Sequence, residues 1–149
     1  CSIGNLGALL QTKGDLAAAE PLQREALEWQ RETLGNRHPH TLIYIGNFGV
    51  LLHAKGDFAA AEPLYREAVE VRRETLGNRH PDTLISIHNL GVLLQHKGDL
   101  AAAEPLYREA VERRSETLGR GHSDTLASIN DLDALLQKMS HLTVAIYLY

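Results

Sequence analysis

The sequence predicts an all-α protein built from stacked helix pairs, and three observations predict it. Residues 41–82 recur almost unchanged at 83–124, agreeing without gaps at 31 of 42 positions. Each copy carries apolar residues at helical spacing, and each is punctuated by glycine at the same two places. A unit of this length repeated at a fixed period cannot bury its apolar face alone, so neighbouring copies must cover one another. The unit is already running when the chain opens: Asn5-Leu6-Gly7 and Glu20-Pro21-Leu22 stand 42 residues before Asn47-Phe48-Gly49 and Glu62-Pro63-Leu64. It resumes at Thr125-Leu126. The chain is thus expected to be a single array over 1–149, with repeat 1 at 1–40 (truncated at its start), repeat 2 at 41–82, repeat 3 at 83–124 and a partial repeat 4 at 125–149. Opening inside one repeat and stopping inside another reads as a fragment of a longer array.

The first helix of each pair follows from Ile45, Phe48, Gly49 and Leu52, which fall at i, i+3, i+4 and i+7; Ile87, Leu90, Gly91 and Leu94 repeat the set. In the second copy this helix is expected over roughly 41–55. Gly49 and Gly91 cost helix propensity, so close approach of a neighbouring helix is the expected reason for them. Gly56 can then take a left-handed stop, and Asp57 can cap the next helix. That second helix has its own stripe, Ala61, Leu64, Tyr65 and Ala68, and should run to about Leu76, where Gly77 ends it. Pro63 stands against this reading, since an interior proline costs about 3 kcal/mol. It falls in the second turn, with Pro21 and Pro105 at the same repeat position, so a continuous helix bent near its start is expected. In the connector, Pro81 suits a first helical position and Asp82 favours the positive end of the helix dipole.

Composition removes several classes of function. A formal charge of −4 with acids and bases interleaved leaves no basic stripe for nucleic acid. No apolar run approaches the roughly 18–20 residues that a membrane helix needs, and no secretory signal pattern is present. The single Cys1 cannot build a disulfide framework and fits a reducing, cytoplasmic compartment.

Catalysis needs a few groups placed asymmetrically, whereas nearly every Glu, Arg and Asp here recurs at its repeat position. No nucleophile has a base at a workable offset and no glycine-rich phosphate loop is present, so no enzyme, catalytic residue or cofactor is assigned. His38, His80 and His122 share one repeat position and are expected to help cap helices. His88 and His96 are eight residues apart, too far to hold one metal without a third helix, so no metal site is assigned.

Helix pairs with Asn-Leu-Gly, a Gly-Asp turn and Ala and Tyr at set offsets resemble tetratricopeptide repeats. The 42-residue period, the long second helix and the Leu-Gly-x-x-His-Pro connector resemble the kinesin light chain type, over about 1–139. The resemblance implies helical hairpins stacked into a right-handed superhelical solenoid, three pairs plus a fourth first helix. It also implies that first helices line a concave groove. The function implied is a protein–protein interaction scaffold that binds an extended peptide or a partner helix there, the partner's identity being open. Variation between repeats falls on such first-helix positions: Gly46 against His88, His53 against Gln95, Ala54 against His96. Second helices are nearly constant from Ala59 to Glu70.

Carried over residue by residue, the light-chain groove Asn that clamps a peptide backbone matches Asn47 and Asn89, and its groove Arg matches Arg72 and Arg114. Val50 and Val92 would add apolar contact, and His53 and His88 complete the expected groove set. The pattern departs elsewhere. A basic residue that meets acidic peptide side chains is Ile85 here, and an Arg at the end of the preceding first helix is Gln11 or His53.

The array degrades toward its end: Arg113 replaces Val71 and Trp29, Asp131 replaces the groove Asn, and Ser140-His141 stands where Gly-Asp should be. Residues 140–149 still align with 98–107, so they are expected to open a fourth second helix, with a sticky extended tail as the alternative. The runner-up function is end-to-end self-assembly, a weak homo-association through repeat ends, because neither Ile3-Leu6-Leu10 nor Leu142-Val144-Ile146-Leu148 reads as a polar cap.

Overall fold

The computed structural model describes residues 14–148, the Leu148 side chain excepted, so the expected first helix of repeat 1, with Asn5, Gly7 and Gln11, lies outside the described residues. Among the described residues there are six helices and no strand. They are α1 (Leu16–Leu34), α2 (Pro39–Ala54), α3 (Phe58–Leu76), α4 (Pro81–His96), α5 (Leu100–Leu118) and α6 (Ser123–Leu148). Two compact units divide the chain, Cys1–Thr75 and Leu76–Tyr149.

The hairpin turn forms twice in the same way. Gly56 sits at φ +81°, its N–H donates to the His53 carbonyl at 3.0 Å, and the Asp57 N–H reaches the Leu52 carbonyl at 2.9 Å. Gly98 and Asp99 repeat this with Gln95 and Leu94, at 3.0 and 2.9 Å. These are paired closing bonds that use up carbonyls left over at a helix end, and only glycine enters the left-handed region cheaply. The aspartate then starts the next helix: the Asp57 carboxylate accepts from the Ala60 N–H at 3.2 Å, and that of Asp99 from Ala102 at 3.2 Å.

At the other connector the histidines act as caps, as expected from their shared position. His38 Nδ1 accepts from the His40 N–H at 3.2 Å, and His80 and His122 accept from Asp82 and Asp124 at 3.1 Å each. Pro39 and Pro81 then occupy the opening turn of α2 and α4. Their missing N–H is one that helix geometry leaves without an internal partner anyway. The interior prolines Pro21, Pro63 and Pro105 do not break α1, α3 or α5, which run through them.

Packing follows the two stripes. In the first unit α1 packs on α2, and Ile45, Leu51, Leu52, Ala61, Tyr65 and Ala68 are buried. In the second unit α4 packs on α5 and α5 on α6, around Ile87, Leu93, Leu94, Ala103, Tyr107 and Leu135. The expected role of the helical glycines is visible here. Tyr65 lies against Gly49 and Tyr107 against Gly91, each ring filling the space where a Cβ would stand. On the outside, Glu20–Arg24, Glu62–Arg66 and Glu104–Arg108 form the same i,i+4 ion pair in three successive second helices, at 2.7–2.8 Å. Each adds only tenths of a kcal/mol, about 0.3–0.5. A stronger tie joins α1 to α3, where Arg31 donates through both terminal nitrogens to Glu67 at 2.7 Å.

One expectation needs correction. No turn forms at Ser140-His141: α6 continues as one helix to Leu148, so residues 140–148 neither open a separate second helix nor trail as an extended tail. Ser140 stands where Gly56 and Gly98 take their left-handed stop, and the stop is lost with the glycine.

Candidate peptide-binding surface

The surface is built from the solvent side of the first helices. A helix that buries i, i+3, i+4 and i+7 turns the opposite positions outward. On α2 that row is Ile43, Asn47 and Val50, with Ile43 50% and Val50 43% exposed. On α4 the same repeat positions hold Ile85, 47% exposed, and Asn89 and Val92, both half-buried. An amide between two branched apolar side chains is therefore offered once in each unit. The amide supplies one acceptor and two donors, the complement that an extended backbone presents.

The remaining expected groove residues divide between the units. In the first, Arg72 is half-buried on α3 and engaged in an interaction of its own. His53 is turned to the hairpin rather than outward, its ring 5.4 Å from Phe58 and 6.2 Å from Tyr65, both edge-on. In the second unit, Arg114 donates to Ser128 Oγ at 2.5 Å and to the Asp124 carbonyl at 3.5 Å, which ties α5 to the start of α6. His88 lies 5.7 Å from the Tyr107 ring. Its Nδ1 is buried without a hydrogen-bond partner, and Asp131 Oδ2 stands 3.7 Å away, beyond hydrogen-bond range.

Burial shapes the electrostatics at this point. It holds the His88 imidazole below its usual range, opposed by the Asp131 carboxylate and reinforced by Arg114. Burial also pushes the phenol of Tyr107 up to about 12, with Asp131 acting in the same direction. Tyr107 Oη donates to Gln95 Oε1 at 2.9 Å, which fixes the ring that supports both Gly91 and His88.

Sequence reasoning did not anticipate a pocket of about 170 Å³ beside this surface, whose lining combines Pro81, Leu84, Ile85 and Leu118 with the polar Arg79, Arg114, Thr117 and Asp124. Its signal was present but unread. Leu34, Leu76 and Leu118 recur just before the connector glycine and are all more than 40% exposed, although a Leu closing a helix ordinarily reads as core. Among the described residues no three His, Cys, Asp or Glu side chains are grouped to hold a metal, and no helix is long and apolar enough to cross a membrane.

The chain matches the tetratricopeptide repeat family over residues 1–74, 47–114 and 82–149, and it belongs to that family. Its 42-residue repeats are of the kinesin light chain type. The nearly identical TPR-like repeats of a kinesin light chain-like protein of Podosopora anserina superpose with a TM-score of 0.84 at 27% identity, over 99% of this chain and 70% of that one. BtubC (BKLC) from P. vanneervenii shares the fold at 24% identity and a TM-score of 0.76, over 92% of this chain and 54% of that one. The N-terminal domain of stress-induced protein-1 from C. elegans shares it at 17% identity and 0.62, over 89% and 92%. No curated protein matches the chain. Family and architecture together make this a protein-interaction scaffold in the general sense, an array of helix pairs that presents a preformed surface.

Proposed function

We propose that the chain binds an extended peptide or a partner helix along the solvent side of its first helices. The observation that carries this reading is the recurrence of Ile43-Asn47-Val50 as Ile85-Asn89-Val92, branched apolar residues around an amide, of which Ile43, Val50 and Ile85 are exposed and Val92 is half-buried. Asn47 and Asn89 clamp the ligand backbone, Arg72 holds a polar group, and Val50 and Val92 take apolar side chains. His53 and His88 border the surface and brace it through their contacts with Tyr65 and Tyr107. Because packed helices fix these side chains, little ordering cost falls on the protein when a ligand arrives. No catalytic step is part of the reading, and the single Cys1 suits a reducing, cytoplasmic setting.

A pull-down comparing the chain with an Asn47→Ala/Asn89→Ala double variant tests it. Binding weaker by about 1–3 kcal/mol, with helicity unchanged, is expected. Undiminished binding together with a lower melting temperature would make the two residues packing elements and end the reading.

Self-association is a second reading, favoured by one observation. Along the far end of α6, Leu142, Val144, Ile146 and Tyr147 are 50–85% exposed. Burying about 400 Å² of such surface offers up to about 10 kcal/mol before association entropy is charged, enough for weak dimers. Sedimentation across a hundredfold concentration range decides it: a constant monomer mass removes the reading.

A further inference from the structure

The second unit differs from a simple repeat of the first at the position of the clamp residue. Where Asn47 and Asn89 stand in the earlier copies, α6 carries Asp131. An amide both donates and accepts, whereas a carboxylate only accepts, so the group opposite must be a donor. The Asp131 side chain is 47% exposed, and its nearest cationic candidate, His88 Nδ1, is 3.7 Å away and unbonded. No lysine or arginine pairs with it among the described residues. Arg114, which acts on His88, is engaged by Ser128 and the Asp124 carbonyl, and Arg79, on the lining of the pocket, by Glu116 at 3.1 Å. Across this surface the carboxylate therefore lacks a counter-charge while the guanidiniums have partners.

The apolar half of the recognition lies one turn back along α4. Ile85 walls the pocket of about 170 Å³, and Leu84, Pro81 and Leu118 complete its apolar lining. That volume suits a single leucine- or methionine-sized side chain. From the Leu84–Ile85 wall to His88, beside Asp131, α4 rises about 5–6 Å, roughly two residues of extended peptide.

We propose that the second unit selects peptides carrying a lysine or arginine about two residues from a large apolar side chain, the cation meeting Asp131 and the apolar group entering the pocket beside Ile85. The inference rests on the peptide-binding reading above and gives its ligand a charge. It is the opposite preference to that of a groove with a basic residue at the Ile85 position.

Selection from an unbiased displayed peptide library, run on the intact chain and on Asp131→Asn, tests both levels separately. The variant restores the residue of the preceding copies at a half-exposed site, and circular dichroism checks that it folds. Peptides selected by the native chain are expected to be enriched in Lys or Arg two positions from Leu, Ile or Met. Asp131→Asn should lose the basic enrichment and keep the apolar one. Acetylating that lysine in one selected peptide should weaken its binding roughly three- to tenfold to the native chain and leave Asp131→Asn unaffected. Acidic enrichment, or a basic enrichment unchanged in the variant, overturns the inference while leaving peptide binding intact. A failure to select any peptide overturns both.

Discussion

The ring of Tyr65 occupies the space that a side chain at residue 49 would need: a Cβ built on Gly49 would stand 2.9 Å from Tyr65 Cε1. The equivalent pair, Gly91 and Tyr107, is looser, at 3.2 Å. Alanine would gain about 1 kcal/mol of helix propensity at either site, so contact distance decides the sign. Tyr65 is only 4% exposed and cannot swing into solvent without uncovering the core. Gly49→Ala is therefore expected to destabilise by about 1–3 kcal/mol and Gly91→Ala to stay within about 1 kcal/mol of the parent. Thermal melts of the two variants side by side check the ordering, and a Gly91→Ala loss larger than that of Gly49→Ala would contradict it.

Removing a histidine cap should cost what removing any helix cap costs. His80 Nδ1 satisfies the Asp82 N–H at the start of α4, ahead of Pro81. His80→Ala leaves that N–H to water and is expected to cost about 0.5–2 kcal/mol, whereas His80→Asn, which keeps an acceptor on a short side chain, should cost less. Chemical denaturation of both variants measures the difference. Equal losses would show that the imidazole contributes by packing.

Stability should fall at both ends of the pH scale for identifiable reasons. His88 is held below its usual range by burial, against the pull of Asp131 from α6 and with help from Arg114 on α5. Its contribution is complete above the unfolded-state value of about 6.5 and is lost as pH falls from there through the lower folded value. Tyr65 and Tyr107 have phenols pushed up to about 12, chiefly by burial. Their contribution is complete below about pH 10 and is lost as pH rises through about 12. His88→Asn, the residue that the fourth copy carries as Asn130, should flatten the acid limb of a melting-temperature profile and leave the alkaline limb alone. An unchanged acid limb would place the acid sensitivity elsewhere.

The bridge between Arg31 and Glu67 is bidentate, two bonds at 2.7 Å with each side chain 28% exposed. The Glu67 hydrogen bond raises the Arg31 pKa, as expected of a pair that favours the charged form. A double-mutant cycle with Arg31→Ala and Glu67→Ala is expected to give a coupling of about 1 kcal/mol, above the exposed i,i+4 pairs. Arg31→Lys should recover less than half of it, because an ammonium cannot reproduce the planar fork. Full recovery by lysine would reduce the bridge to a point-charge effect.

Most of the fold could be read from the chain because its local signals agree. Gly56-Asp57, Pro81 and the Ile45-Phe48-Leu52 stripe each name one structure, and each copy repeats the statement. The solvent-facing row of α2 was legible at Asn47 and Val50, since positions opposite a buried stripe turn outward. Side-chain direction at helix ends was less so. His53 is turned toward Phe58 and Tyr65, and the pocket under Ile85 depends on Leu118, whose exposure no period predicts. The misread segment was 140–148, where apolar alignment with the earlier second helix suggested a turn that the backbone had no glycine to make.

The continuation of α6 past Ser140 can be tested by restoring the missing turn residues. The pair Ser140-His141 replaces the Gly98-Asp99 pair that ends α4 and caps α5. Glycine within a helix costs about 1 kcal/mol, and an aspartate able to cap gains about another. Ser140→Gly with His141→Asp therefore shifts the balance between running on and turning by about 2 kcal/mol. Folding back would also bury Leu142, which is 55% exposed, on the face where Leu100 lies in the preceding repeat. The double variant is expected to end α6 near Met139 and to lose slow amide exchange at residues 140–142, while residues 125–137 stay protected. A helix still protected through residue 142 would show that the turn needs the remainder of a second helix to hold it, and that glycine alone does not decide where α6 stops.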